Sequence, residues 1–563
     1  MRHLFRFLTK SLYAQWWRLL LVLGTLILFI LIPLRLGNDE YFDENREPKR
    51  VYCAPLFEEN LYSTRSYELN TTETLMTNQD VEEYESFLPI ILKGPIADQN
   101  TFYVAQDGDD VSGNGSRTMP WGTISYALEQ VPDQSLILVQ PGTYTGKISY
   151  NRLAEAGITL RSEVPYLANL ENDGRVFEIF YGRGLIVEGF KISHIGPSVE
   201  ELYLIQIQDA DEEHLAGSNI ILRNNIIHDS FNNDLIKVNH NASHVLIEGN
   251  IFYNQGGPEV DNHLDINSVD YVTVQDNIFF NDFMGSGRVD DNLGGHFIVV
   301  KDSNGDSDGH IGSNEITIRR NIFLNWQGED GNSFIGLGDG ANTEYYQAMN
   351  VLIENNLMIG NSPDKIHTTL KLISSKGITF RNNTVTGNLP ANTYAIRTCI
   401  ANQDYVNTEI HLFNNIWSDP SGTMGADSPW GNNDFSISPS GTILSFILGT
   451  NLYWNGNNPV PADHEDMINY LSDINPILSD PMLPQIPSNI LLPRFDPNTG
   501  LIGGQFLSIR DAFIYLVQTY AFPASNSPVI NHADPGNSPI DDILGFPREN
   551  GGPPDIGAVE IQN

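Results

Sequence analysis

Seven times between Ile221 and Asp419 the chain repeats one phrase: apolar residues, a polar pair ending in Asn, then apolar residues again. The copies read ILRNNIIH, VLIEGNIFYN, VTVQDNIFFN, ITIRRNIFLN, VLIENNLMIG, ITFRNNTVTG and IHLFNNIWSD. Their second polar residues are Asn225, Asn250, Asn277, Asn321, Asn356, Asn383 and Asn415, spaced by 25, 27, 44, 35, 27 and 32 residues. A minimum near 25 with irregular excess is the mark of a solenoid whose coils carry loops of variable length. Each copy is too short and too β-branched for a helix, and its apolar positions alternate as strands require. Asn tolerates the left-handed backbone, so the polar pairs fit tight turns between two short strands. Stacked coils would bring the Asn amides into register at roughly 4.8 Å, where they can hydrogen-bond along the stack. GITLRSE (157–163) and LIVEGFKIS (185–193) read as earlier, degenerate copies, giving about nine coils.

Three further segments join this pattern: FYVAQDGDDVSGNG (102–115), PWGTISYALEQV (120–131) and SLILVQPGTYTG (135–146). In the second, Ile124, Ala127, Leu128 and Val131 make one helical apolar face able to plug an open end of the solenoid. With the tail 527–560, these segments and the repeats resemble the right-handed parallel β-helix family, the pectate-lyase-like superfamily. The resemblance covers about residues 101–560 and implies an all-β solenoid with an N-terminal capping helix and a loop-rich C-terminal cap. It is specific for fold and weak for activity, because one fold hosts many functions. For the lyases of the superfamily it implies acidic sugars bound along a sheet face. There Ca²⁺ neutralises the sugar carboxylate, and a Lys or Arg removes the proton at C5.

A net charge of −39 argues against binding nucleic acid through its phosphates. Cys53 and Cys399 are too few for a disulfide framework or a zinc motif. The basic N-terminus (Arg2, Arg6, Lys10, Arg18) precedes 16 uncharged residues, Leu19–Leu34. Residues 1–36 therefore read as a signal-anchor helix holding the remainder outside the cytoplasm, at the cell surface, or secreted if the segment is cleaved. Residues 37–100 read as a stalk, 101–419 as the β-helix, and 420–563 as loops and a cap over the end of the solenoid. The expected partners are a polysaccharide and, through the N-terminal helix, a membrane; the expected state is a monomer.

Between the Asn turns several coils carry a further strand whose outward positions gather titratable groups. Leu235–Asn239 leaves Lys237 and Asn239 outside; His263–Asn267 leaves His263, Asp265 and Asn267; Ile298–Asp302 offers Lys301; Leu370–Leu372 offers Lys371. Lys237, Asp265 and Lys301 are thus expected on successive rungs of one exposed column. Under the implied lyase chemistry Lys237 is the base, Lys301 the neighbouring charge that lowers its pKa, and Asp234, Asp261 and Asp265 the cation ligands. Arg288, His296 and Tyr345 or Tyr346, on inserts 282–296 and 326–349, would wall the groove beside Asn239, His263 and Asn267. The same Lys–Asp–Lys column also fits a charge-alternating ladder on a solvated sheet, and non-catalytic glycan binding or adhesion stays open.

Asn304–Glu315 matches the 12-residue calcium loop, with oxygen ligands at Asn304, Asp306 and Asp308, Gly309 at position six and Glu315 at twelve. Strand-like flanks exclude an EF-hand and leave a Ca²⁺ site in an inter-coil loop, or an ordinary Asp/Asn/Gly turn.

Overall fold

The computed structural model describes residues 100–562, apart from short segments at 198, 200, 210–217, 257–261, 289–294, 325, 329–330, 342–343, 363, 429–430, 463 and 549–550. The expected anchor at 19–34 lies outside the described residues; within them, no helix is long and apolar enough to cross a membrane.

Three long sheets, of twelve, ten and twelve strands, wrap one continuous core. Every pairing within them is parallel, and through the middle coils each strand neighbours the strand three further along the chain. The chain is a parallel β-helix. Each coil visits sheet 1 (for example Ser243–Glu248), turns at the Asn pair, crosses sheet 3 (Ile251–Tyr253) and returns through sheet 2 (Leu264–Asn267).

The repeat Asn residues do form one buried column at the sheet 1 to sheet 3 turn. Each Oδ1 accepts the backbone N–H and the Nδ2 of the Asn one coil earlier, as in Asn225 to Asn250 at 2.8 and 3.2 Å. The ladder runs unbroken from Asn225 through Asn415 to Asn451 and ends on Asp473. The residue before each Asn is left-handed: Asn224, Asp276, Asn355, Asn382 and Asn414 have φ between 49 and 57°. Arg320 occupies the same position at φ 51°, held by a bidentate pair to Asp276 and by Asp541. Inside, Phe252, Phe279 and Phe323 stack at 4.8 and 4.9 Å, the rung spacing itself.

The helix Ile124–Gln130, capped by Thr123, buries Ile124, Ala127 and Leu128 against the first coil. Two boundaries differ from expectation. Coiling continues past 419, with Phe446–Gly449 and Leu452–Trp454 adding another turn to sheets 1 and 3. The C-terminal segment also lies along a side of the solenoid as well as beyond its repeats. Phe495, Ile502 and the helix Ile509–Tyr520 pack on the outward residues Ile226, Ile251, Ile278, Ile322 and Leu357 of sheet 3. That face is apolar on both sides, so it must be covered.

Candidate functional site

Sheet 2 collects titratable side chains from successive coils on its outer face; the comparable column on sheet 1, Arg161, Glu188, Arg223 and Glu248, then Arg319, Glu354 and Arg381, alternates in sign and forms ion pairs along it. Two outward columns run along sheet 2. The first is Glu178, Gln206, Lys237, Asp265, Val299, Gly336, Lys371, Arg397. The second includes Gln208, Asn239, Asn267 and Lys301.

Lys237 and Asp265 are therefore directly opposed, as expected, while Lys301 falls one outward position along, opposite Asn267. The three still meet. Lys237 Nζ donates to Asp265 Oδ2 at 2.5 Å, and Lys301 Nζ lies 3.6 Å from the same oxygen and 3.1 Å from Asp339 Oδ2. The face was expected to be exposed, yet Lys237 and Asp265 are 5 and 4 % exposed. Burial opposes charge on Asp265, but Lys237 and Lys301 overcome it and hold the carboxyl below its usual range. Burial likewise opposes the Lys301 ammonium, and Asp265, Asp339 and Asp234 more than reverse the effect, raising it. Lys301 is thus spent on carboxylates and does not act as a lone positive neighbour to Lys237.

Asp234 sits beside this network, with Oδ1 accepting the N–H and Nδ2 of Asn262 at 2.6 and 2.9 Å. Burial, reinforced by Asp265, pushes its carboxyl up to about 7. Tyr203 covers Lys237, whose Nζ is 5.9 Å from the ring centre. Asp261 is outside the described residues.

Other expected site residues divide. Asn239, Asn267 and Asn304 form a closed amide cluster, with Asn267 and Asn304 donating to Asn239 Oδ1 at 2.8 and 2.7 Å. His263 differs from expectation: it points inward, fully buried among Phe252, Phe279 and Phe297, with Nε2 3.0 Å from Asn281 Oδ1. The residue precedes the strand, where the outward alternation has not begun. Arg288 leaves sheet 2 altogether, pairing with Asp229 at 3.2 Å and lying over Phe231. Tyr346 packs edge-on against Tyr405 and donates to the Val406 carbonyl. His296 stays on the outer face, its Nδ1 2.5 Å from Ser333 Oγ. A Cβ at Gly336 would meet its ring at 2.7 Å, so glycine is what lets the imidazole lie over that rung.

In the loop read as a calcium site, the described carboxylates are engaged by the chain itself. Gly305–Asp308 is a short 3₁₀ turn. Asp308 is taken up by N–H groups of Asn304 and His310 and by the His240 ring, and Asp302 accepts from the N–H groups of Asn304, Gly305 and Gly312. Glu315 is half-buried near Asp270, and burial raises its carboxyl. The side chain of Asp306 is not described. Among the described residues, no three His, Cys, Asp or Glu side chains are grouped to hold a metal ion.

Arg397, not expected from sequence, is 8 % exposed and directly opposite Lys371. Among the described residues it has no carboxylate partner, and burial alone drives its guanidinium downward. His367, on the Lys371 strand, is pulled to about 4 by burial and then by Arg397 and Lys371. His296 is held well below its usual range by burial, Lys371 and Lys301. Neutral imidazoles thus flank two stacked cations in a chain of net charge −39.

No protein-family model matches the sequence, and comparison with curated proteins finds no match. Among solved structures the chain is similar to pectate lyase Pel9A, with 15% identity and TM-score 0.44 over 83% of this chain and 97% of that one. It is similar also to XylC in complex with xylose (11%, TM-score 0.42, 82% and 98%). A PL6-family polysaccharide lyase from Pseudopedobacter saltans is a third (16%, TM-score 0.38, 63% and 90%). The fold stands on the strand pairing above, independently of these likenesses.

Proposed function

We propose that this protein acts on acidic polysaccharide along the outer face of sheet 2, by β-elimination at uronate residues. One observation carries the reading: Lys371 and Arg397 stand in direct register, and Arg397 is buried without a carboxylate partner among the described residues. A buried guanidinium left uncompensated is costly, so Arg397 suits an anion supplied by substrate. Arg397 would hold the sugar carboxylate in planar, bidentate fashion and so acidify the C5–H. Lys371, one rung away, would in its neutral amine form take that proton as the C4–O bond breaks, and water would protonate the departing oxygen. Lys237, Asp265 and Lys301 form the ionic floor beside this site.

Calcium is a separate proposal, and the loop suits it poorly because N–H donors already fill the carboxylates of Asp302 and Asp308. No catalytic step is routed through it. We likewise propose that residues 19–34 anchor a monomeric chain with the solenoid outside. Protease treatment of intact cells that spared the solenoid would count against that placement.

The test is incubation of the protein with a panel of uronate polymers, following absorbance of the unsaturated product. Arg397→Ala and Lys371→Ala should each lose at least about a hundredfold in rate while remaining folded. Binding without turnover would favour an adhesive role; neither binding nor turnover on any acidic glycan would remove the reading.

A further inference from the structure

One outward column of sheet 3 changes character along the solenoid. Strand register stacks Tyr253 on Phe280, Ile359 on Thr386, Thr386 on Ser418 and Ser418 on Trp454. The middle residue of each short strand, such as Val385, Trp417 or Tyr453, packs in the core, so this column faces out. Tyr253, Phe280 and Ile359 are apolar and lie buried beneath the C-terminal segment. The next three rungs carry two hydroxyls and an indole. There a cleft of about 430 Å³ lies over Thr386, Ser418 and Trp454, with Asp480, Pro484 and Gln485 in its opposite wall.

The chain itself holds that wall in place. The Pro481 carbonyl accepts the Ser527 hydroxyl at 2.6 Å, and the Met482 carbonyl accepts the Ala524 N–H at 3.0 Å. Beyond the bend, Asn361 Nδ2 donates to the Ile486 carbonyl at 2.8 Å. Met482 takes a left-handed φ of 54°, and its N–H donates to Asp480 Oδ1 at 2.7 Å. A methionine keeps such a backbone only where its surroundings impose it.

The polar groups facing the cleft are uncommitted. Thr386 and Ser418 are 1 and 2 % exposed, yet neither hydroxyl is hydrogen-bonded to another side chain or carbonyl among the described residues. The Gln485 amide and Asp480 Oδ2 are likewise without a partner among them. A buried hydroxyl left unpaired is costly, so this pair suits a ligand that both donates and accepts. Neighbouring rungs hold the two hydroxyls about 4.8 Å apart, a span that the hydroxyls of one ring can bridge. Half-buried Trp454 adds the apolar surface that the C–H face of such a ring needs. The Asp480 carboxylate, in a chain of net charge −39, disfavours an acidic ring.

We propose that this cleft binds one neutral sugar ring, at a site separate from the uronate groove on sheet 2. The ring lies against Trp454. Its hydroxyls exchange hydrogen bonds with Thr386, Ser418 and Gln485, and one donates to Asp480. No covalent bond changes there. The cleft gives the protein a hold on neutral glycan units that the cationic pair on sheet 2 does not select.

Saturation-transfer NMR on the full chain tests this, with methyl glucoside, methyl galactoside, methyl xyloside, glucuronate and choline as probes. At least one neutral glycoside should bind saturably, with Kd in roughly the millimolar range. Glucuronate and choline should bind at least about tenfold more weakly. The double variant Thr386→Val, Ser418→Ala removes both hydroxyls with little change of shape. Its circular dichroism should match the parent, while affinity for the glycoside falls about tenfold or more. Trp454→Ala should weaken binding by at least as much. Absence of saturable binding by every neutral glycoside overturns the proposal, as does equal affinity in the double variant. Tighter binding of choline or glucuronate also overturns it, because the cleft would then select charge. The readout is binding of a single sugar ring, so it stands or falls apart from turnover of any uronate polymer.

Discussion

Lys237 donates to Asp265 across 2.5 Å with both side chains about 95 % removed from solvent, and that bond makes the pair a structural unit. An ammonium committed to a buried carboxylate is poorly placed to accept a proton from substrate. Lys237→Ala should therefore be read first as a stability variant. It leaves Asp265 with only the longer Lys301 contact and should cost about 3 kcal/mol, seen as a lowered urea midpoint. The double variant Lys237→Met, Asp265→Leu should recover much of that loss.

The Asn ladder predicts a sharper penalty than an ordinary surface turn. Asn321→Ala would orphan the buried N–H of Asn277, remove one of the two acceptors of Asn277 Nδ2, and take a donor from the Val274 carbonyl and from Asn356 Oδ1 on the coils before and after. The expected cost is about 2–4 kcal/mol in denaturant unfolding. An unchanged midpoint would mean that the amide column contributes no net stability.

Asp234 gives a pH dependence of defined sign. Its folded pKa, about 7, exceeds the ordinary 3.8, so the folded state binds this proton more tightly. Its stabilisation is full below pH 4 and is lost as pH rises towards 7. Asp234→Asn keeps an acceptor for Asn262 without the titration. The difference in unfolding free energy between variant and parent should therefore grow from pH 5 to pH 7.5; a constant difference would refute the shift.

Buried histidines act in the opposite sense. His194 and His367 are lowered to about 4 and His263 to about 3, chiefly by burial. The unfolded chain binds these protons first as pH falls below 6.5. Stability should drop between pH 6.5 and 4 by about 1.4 kcal/mol per pH unit for each histidine. Thermal melts across that window measure the slope.

Gly336→Ala tests the packing at the proposed elimination site. The added methyl would meet the His296 ring at 2.7 Å and drive it off the rung beside Lys371. Activity on a uronate polymer should fall about tenfold or more with little change in far-ultraviolet circular dichroism.

The coil phrase was legible because its signal is local and repeated. A β-branched strand, a left-handed polar residue and an amide each serve the same role in every coil, so seven weak cues add up. The capping helix was legible for the same reason, since Ile124, Ala127 and Leu128 fall on one face by spacing alone. The covered face of sheet 3 had its own sign, runs such as IFY, IFF and LMI that are apolar on both sides, and the chain meets it with residues 486–561.

The sequence by itself determined that this chain coils, where each coil turns, and which residues stack in the buried Asn column. It also placed Lys237, Asp265 and Lys301 near one another. Only the tertiary structure decided the rest. Outward columns depend on where each strand of sheet 2 begins, and loops of unequal length between coils hide that start. Lys301 therefore falls beside Asn267, and His263 turns inward. Whether an outward charge meets water, a carboxylate or nothing depends on the coil above and below it, tens of residues away. That is why Lys237 proves paired and buried, while Arg397, one residue in an ordinary-looking strand, is buried with no carboxylate partner among the described residues.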